Sequence, residues 1–184
     1  PPRHRLRGRA PEGRVSCNPC HLCEHRCGVD RTRGPAGVCH ASFSPRSFCE
    51  LTEYGEEPGL APSFSVAFSG CNLRCAFCIT GSGSQNAEAG LPAEAESLAR
   101  RAREAVANGA RSVVFLGGEP TIFLPFLADV AGRLRGIGVP LVLKTNLYVT
   151  EVSLATSLDL FDVILADYKF GNDSCARRLG GFGR

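Results

Sequence analysis

The chain has 184 residues, a net charge of +3 and 43% hydrophobic residues. That length suits one domain with a small appendage. No apolar run reaches the roughly 20 residues of a membrane-spanning helix, so a membrane partner is excluded and a cytoplasmic, globular protein is expected. The charge is too mild to argue for nucleic acid as a partner.

Residues 1–16 are polar, with Arg3, Arg5, Arg7, Arg9 and Arg14 set against Glu12 alone. They read as a solvated, disordered basic tail. Residues 17–49 hold six of the ten cysteines and little apolar periodicity. A segment so poor in core residues needs a metal or a staple to fold. No apolar leader follows the basic start, and nine cysteines fall before residue 80 in two groups. That spacing points to metal ligation in a reducing compartment rather than to disulfides. Residues 50–63, acidic and with Pro and Gly, read as a linker.

From residue 64 onward the pattern becomes that of a packed domain, 64–184. Phe64 to Phe68 reads as a buried strand, and Ala93 to Asn108 as a helix with Leu98, Ala102, Ala105 and Val106 on one face. Ser112 to Leu116 is a second strand. Thr121 is placed to cap a helix carrying Leu124, Leu127, Val130 and Leu134. Leu141 to Leu143 is a third strand, Thr150 caps a short helix, and Phe161 to Ala166 is a fourth strand. Strands alternating with helices imply a parallel α/β sheet, whose chemistry collects at the C-terminal strand ends. Unusual residues do follow each strand: Ser69-Gly70-Cys71, Gly117-Gly118-Glu119, Lys144-Thr145-Asn146 and Asp167-Tyr168-Lys169.

Cys71-x3-Cys75-x2-Cys78 offers three close thiolates. A fully ligated [4Fe–4S] cube takes four, so one iron would stay open, as catalytic metal sites do. An open iron can take the amino and carboxylate groups of S-adenosylmethionine (SAM), and one electron passed into the sulfonium breaks a C–S bond to give methionine and a 5′-deoxyadenosyl radical. The alternative is a zinc loop that borrows a fourth ligand from Cys175 or the N-terminal group.

This loop, with Phe77 before its third cysteine, resembles the signature of the radical SAM superfamily, and Gly117-Gly118-Glu119-Pro120 resembles that family's SAM-binding turn. Asp167-x-Lys169 resembles the corresponding motif of pyruvate formate-lyase activating enzyme-like proteins. The resemblance implies that Glu119, with Gly117 and Gly118, holds the SAM amino group and that Lys169, beside Asp167, holds its carboxylate. Phe77, Thr145 and Asn146 would line the pocket. Physically, glycines admit close backbone approach and a carboxylate pairs with an ammonium. The plainer readings are an acid at a helix N-terminus and a surface ion pair. Lys144 stands where glycyl-radical activating enzymes commonly carry an Asp that helps to hold a cation. A lysine cannot ligate one, and its plainer reading is a snorkelling surface residue.

Cys17-x2-Cys20-x2-Cys23-x3-Cys27 matches a bacterial ferredoxin run, with Gly28 in place of Pro. Another grouping, Cys20-x-Leu22-Cys23…Cys27-Gly28-Val29-Asp30-Arg31…Gly34…Gly37-x-Cys39, resembles the N-terminal segment of a branch of activating-enzyme-like radical SAM proteins. Its thiolates Cys20, Cys23, Cys27 and Cys39 would suit zinc or a second cluster, with His21, His25 and His40 as substitutes. The fold implied by the resemblance is a partial (β/α) barrel, truncated after about four units, behind this Cys-rich segment. The expected activity is hydrogen abstraction from a substrate by the SAM-derived radical, with a glycyl-radical enzyme as one candidate protein substrate and a flavodoxin- or ferredoxin-like electron donor. The alternatives are radical chemistry on another molecule and a non-catalytic metal-binding paralogue.

Overall fold

The computed structural model describes residues 15–55 and 57–181. The basic tail therefore lies almost wholly outside the described residues. A six-stranded sheet runs through the molecule in the order β3-β1-β2-β4-β5-β6. Its strands are β1 (Arg46–Glu53), β2 (Ser63–Phe68), β3 (Leu91–Pro92), β4 (Ser112–Gly117), β5 (Leu141–Thr145) and β6 (Val163–Ala166). β1 pairs antiparallel with β2 and β3, whereas β2, β4, β5 and β6 are parallel neighbours. The helices are α1 (Gly81–Gln85), α2 (Ala95–Ala107), α3 (Leu124–Arg133), α4 (Glu151–Leu160) and α5 (Asp173–Gly180), with a 3-10 turn at Pro120–Phe123.

The four strands read from the sequence are those of the parallel run. β2 is buried along its whole length, as a strand covered on both faces must be. Its side chains divide by size. Phe64, Val66 and Phe68 enter the main core with Val113, Phe115, Leu141 and Leu143. The alternate positions, Ser65 and Ala67, are small. Phe68 stacks on Phe115 at 6.4 Å and meets Phe123 and Phe126 at 6.0 and 6.1 Å. Such ring pairs add about 0.5–1.5 kcal/mol each beyond their area burial.

The structure moves the expected Thr121 cap. Glu119 caps the 3-10 turn by accepting a hydrogen bond from the Thr121 N–H, and α3 begins only at Leu124. Pro120 fixes this entry, because it has no N–H to offer and suits the first position of a helical turn. Thr150 does stand at the N-cap of α4, but its hydroxyl is used elsewhere, donating to the His21 carbonyl at 3.0 Å. β1 occupies a stretch that the sequence divides between the Cys-rich segment and the linker. β1, β3, α1 and α5 have no counterpart in the sequence reading.

Residues 17–45 contain only two isolated bridges, Cys17–Cys20 and Ala36–Ala41. They are nevertheless built into the domain, since Cys17, Cys20, Leu22, Cys39 and Ala41 belong to the main core. Among the described residues no helix is long and apolar enough to cross a membrane.

One glycine is spare. Gly132 sits in α3 with open space where a Cβ would be. Gly132→Ala is expected to stabilise the chain by about 0.5–1 kcal/mol, since glycine is the costlier residue inside a helix. Urea unfolding measures the change.

Candidate functional site

The C-terminal ends of β2, β4, β5 and β6 open onto one cavity of about 410 Å³, a size that suits a small-molecule ligand. Cys71, Cys75 and Cys78 line it together with Gly117, Gly118, Glu119, Lys144, Thr145, Asn146, Asp167, Lys169 and Phe77. The four strand-end motifs therefore meet at one place, as the sheet topology requires.

The cysteine loop leaves β2 through Gly70, whose φ of +90° suits glycine. A Cβ there would lie 3.3–3.4 Å from side-chain carbons of Ala87, Ile122 and Ala41. The end of α5 pins the loop from outside: the Arg74 N–H donates to the Gly180 carbonyl at 2.9 Å and the Ala76 N–H to the Leu179 carbonyl at 2.8 Å. The Arg74 guanidinium closes the turn by donating to the Cys71 and Val38 carbonyls at 2.8 and 3.1 Å. The Leu73 N–H points at Cys71 Sγ at 3.4 Å.

Burial raises the Cys71 thiol to about 12, with the Glu119 charge adding to the effect. Burial also raises Cys75. At Cys78 burial acts in the same sense, but hydrogen bonds from the Thr80 hydroxyl and from the Thr80 and Gly81 N–H groups outweigh it and lower the pKa. Among the described residues no three Cys, His, Asp or Glu side chains form a ready-made single-ion site. The three thiols lie on one short loop and line one cavity, and a cube takes its thiolates on separate irons. The donor set fits the cube.

Glu119 is 1% exposed. One carboxylate oxygen accepts from the Thr121 N–H, the Thr121 hydroxyl and the Thr145 hydroxyl at 3.1, 2.7 and 2.8 Å; the other accepts from the Asn146 N–H at 2.8 Å. All four donors are uncharged, so the ionised group keeps its full charge toward the cavity. Burial raises its pKa against the pull of these hydrogen bonds. An ammonium arriving in the cavity would relieve that cost. The Asn146 amide donates to Asn72 Oδ1 at 2.9 Å and lies 3.9 Å from Cys71 Sγ, tying the third strand end to the cysteine loop.

Lys169 donates to Asp167 at 2.9 Å with its side chain 29% exposed. Burial lowers its pKa, yet the Asp167 hydrogen bond and charge outweigh this and leave it raised. It is a cation that an incoming carboxylate can share. Phe77 is half-exposed at the cavity edge and packs edge-on against Phe170 at 5.7 Å. Cys175 is outside the cavity lining.

Glu53, Thr80, Ser84 and Gln85 also line the cavity and have no counterpart in the sequence reading. Thr80 and Ser84 hydroxyls are hydrogen-bonded to each other. Cys20, Cys23, Cys27 and Cys39 line a separate narrow cleft with Arg31.

Comparison with known proteins agrees with this geometry. Residues 65–181 match the family model described as the radical SAM superfamily. The chain is 34% identical over 171 residues to an uncharacterized protein of Methanocaldococcus jannaschii, covering 87% of this chain and 48% of that protein. It is 40% identical over 79 residues to the GTP 3′,8-cyclase of Geobacter sulfurreducens, covering 41% and 24%. The chain thus spans about half the length of the first relative and about a quarter of the second.

Proposed function

The chain belongs to the radical SAM superfamily, and from that premise we propose that it binds SAM in the 410 Å³ cavity and uses it to take hydrogen from a substrate. The observation that carries this reading is the convergence of Cys71, Cys75 and Cys78 with Glu119, Thr145, Asn146 and Lys169 around that one cavity. Cys71, Cys75 and Cys78 would hold the [4Fe–4S] cluster, which when bound supplies the single electron and the open iron for SAM cleavage.

The chain's own residues do the positioning. Glu119 presents a buried carboxylate to the amino group of SAM, held in place by its four neutral donors. Lys169 turns from Asp167 toward the SAM carboxylate. Gly117 and Gly118 pack their turn against the Phe68 and Gly70 backbone, where a Cβ would clash, rather than opening room for the ligand, and Phe77 shields the mouth from water. The parallel run β2-β4-β5-β6 is, in this reading, part of a (β/α) barrel, and the electron donor is flavodoxin- or ferredoxin-like.

Two substrate classes stand. The Asp167-x-Lys169 pattern supports an activating enzyme acting on a protein such as a glycyl-radical enzyme. The similarity to a GTP 3′,8-cyclase supports a small molecule.

The test is anaerobic reconstitution with iron and sulfide, reduction, addition of SAM, and chromatography for 5′-deoxyadenosine. Product formation is the expected result. A formed cluster that yields none overturns the reading. Lys169→Ala is expected to weaken SAM binding about tenfold, the worth of one charged hydrogen bond, in equilibrium dialysis.

A further inference from the structure

Arg31 is 1% exposed, and among the described residues it makes no ion pair with a carboxylate. Its guanidinium donates to the carbonyls of Ala41, Ile122 and Ser42 at 2.9, 2.7 and 2.8 Å, and Nη1 reaches Cys20 Sγ at 3.7 Å. Its carbon lies over the Phe123 ring at 5.5 Å. Three carbonyls take part of its N–H donors, but a buried charge still calls for a counter-charge. The groups beside it able to carry one are sulfurs, because Arg31 lines one narrow cleft with Cys20, Cys23, Cys27 and Cys39.

Backbone bonds hold the turns around these sulfurs: the Cys20 N–H donates to the Val29 carbonyl at 2.9 Å, the Gly28 N–H to the Cys20 carbonyl at 3.0 Å and the Arg31 N–H to the Cys17 carbonyl at 2.9 Å. Gly37, at φ +73°, gives way to Cys27, whose Sγ would stand 3.2 Å from a Cβ placed there. Arg26 and His40 also take positive φ, at 45° and 51°, which is costly for such residues and shapes the turns that carry the thiols.

We propose that Cys20, Cys23, Cys27 and Cys39 hold a second, thiophilic metal centre whose negative charge is partly offset by the buried Arg31. Four thiolates around a divalent ion, or around an iron–sulfide cluster, leave a net negative charge of which the guanidinium neutralises a part. Among the described residues these thiols are not preassembled around one ion, so metal binding would have to draw them together. The centre is also tied to the first loop: His25 Nε2 is hydrogen-bonded to the Asn72 carbonyl at 2.7 Å, and Asn72 follows Cys71.

The test removes the first loop's thiols, so its outcome is independent of SAM chemistry. The variant Cys71→Ala/Cys75→Ala/Cys78→Ala is incubated either with zinc or with iron and sulfide, desalted, and analysed for metal and acid-labile sulfide. Retention of about one zinc per chain without sulfide supports a single tetrahedral ion, and retention of iron with matching sulfide supports a cluster. Loss of either on adding Cys23→Ala/Cys27→Ala supports the assignment. A triple variant that retains neither overturns it. Alkylation followed by mass spectrometry gives a second readout that does not need the extra substitutions. The metal-treated triple variant should protect Cys20, Cys23, Cys27 and Cys39 while Cys49 and Cys175 react. Equal labelling of all six overturns the proposal.

Discussion

Cys75→Ala is expected to reduce 5′-deoxyadenosine formation to background while leaving the chain folded. Cys75 lies in the loop between β2 and α1 and borders the SAM cavity. Without it the loop offers two thiolates, too few to keep a cube in place against exchange with solvent thiols. The cost to the fold is small. The side chain is buried, at 8% exposure, but it is short, and losing one sulfur from a loop costs on the order of 1 kcal/mol. A substitution that removes activity with little change in unfolding midpoint marks a ligand rather than a core residue. Cys175→Ala is the control, since its side chain lies outside the cavity and the hydrogen bond to Asn172 Oδ1, at 2.9 Å, comes from its backbone N–H. Product at parental levels from Cys75→Ala would remove the cysteine loop from the chemistry.

Gly118→Ala is expected to do the opposite, damaging fold and binding together. A Cβ at Gly118 would lie 2.0 Å from the Gly70 carbonyl oxygen and 2.7 Å from its carbon. Both are backbone atoms and cannot swing aside. The two turns are joined there, with the Gly118 N–H donating to the Phe68 carbonyl at 2.8 Å and the Glu119 N–H to the Gly70 carbonyl at 3.0 Å. A methyl group would part them, moving Glu119 from its donors and Cys71 from its neighbours. Overpacking of this kind costs about 3 kcal/mol. Urea unfolding of the metal-free chain reads the loss directly, and SAM binding should fall with it. A variant of parental stability would mean that the two turns are not in contact.

The parallel strands and their terminal residues were legible because a strand covered on both faces is a short continuous apolar run, and because the residues at its exit are of a different kind. β1 was not legible. Its eight residues, from Arg46 to Glu53, mix charged, apolar and polar side chains at partly exposed positions, and its pairing with β2 and β3 makes it a strand. α1 reads Gly-Ser-Gly-Ser-Gln, the composition of a flexible loop. It is placed by packing, since a Cβ added at Gly83 would lie 3.0 Å from the Phe48 ring. Ser84 and Gln85 therefore entered the cavity lining without a local signal, and so did Glu53, at the end of β1. Nor did the sequence show that Arg31 is buried while its neighbours Arg26 and Arg33 are exposed.

The cysteine loop is anchored from both directions along the chain. His25 and Leu22 reach it or its neighbour Thr150 from the N-terminal side, and Leu179 and Gly180 clamp it from the C-terminal side. Contacts of such long sequence separation form late, after the loops between them have closed. During synthesis the three thiols emerge well before their clamp does. Metal delivered at that stage would meet a loop without its clamp, because the Gly180 and Leu179 carbonyls that hold Arg74 and Ala76 come later in the chain. Oxygen or stray zinc would compete for the thiols in the interval before the clamp forms.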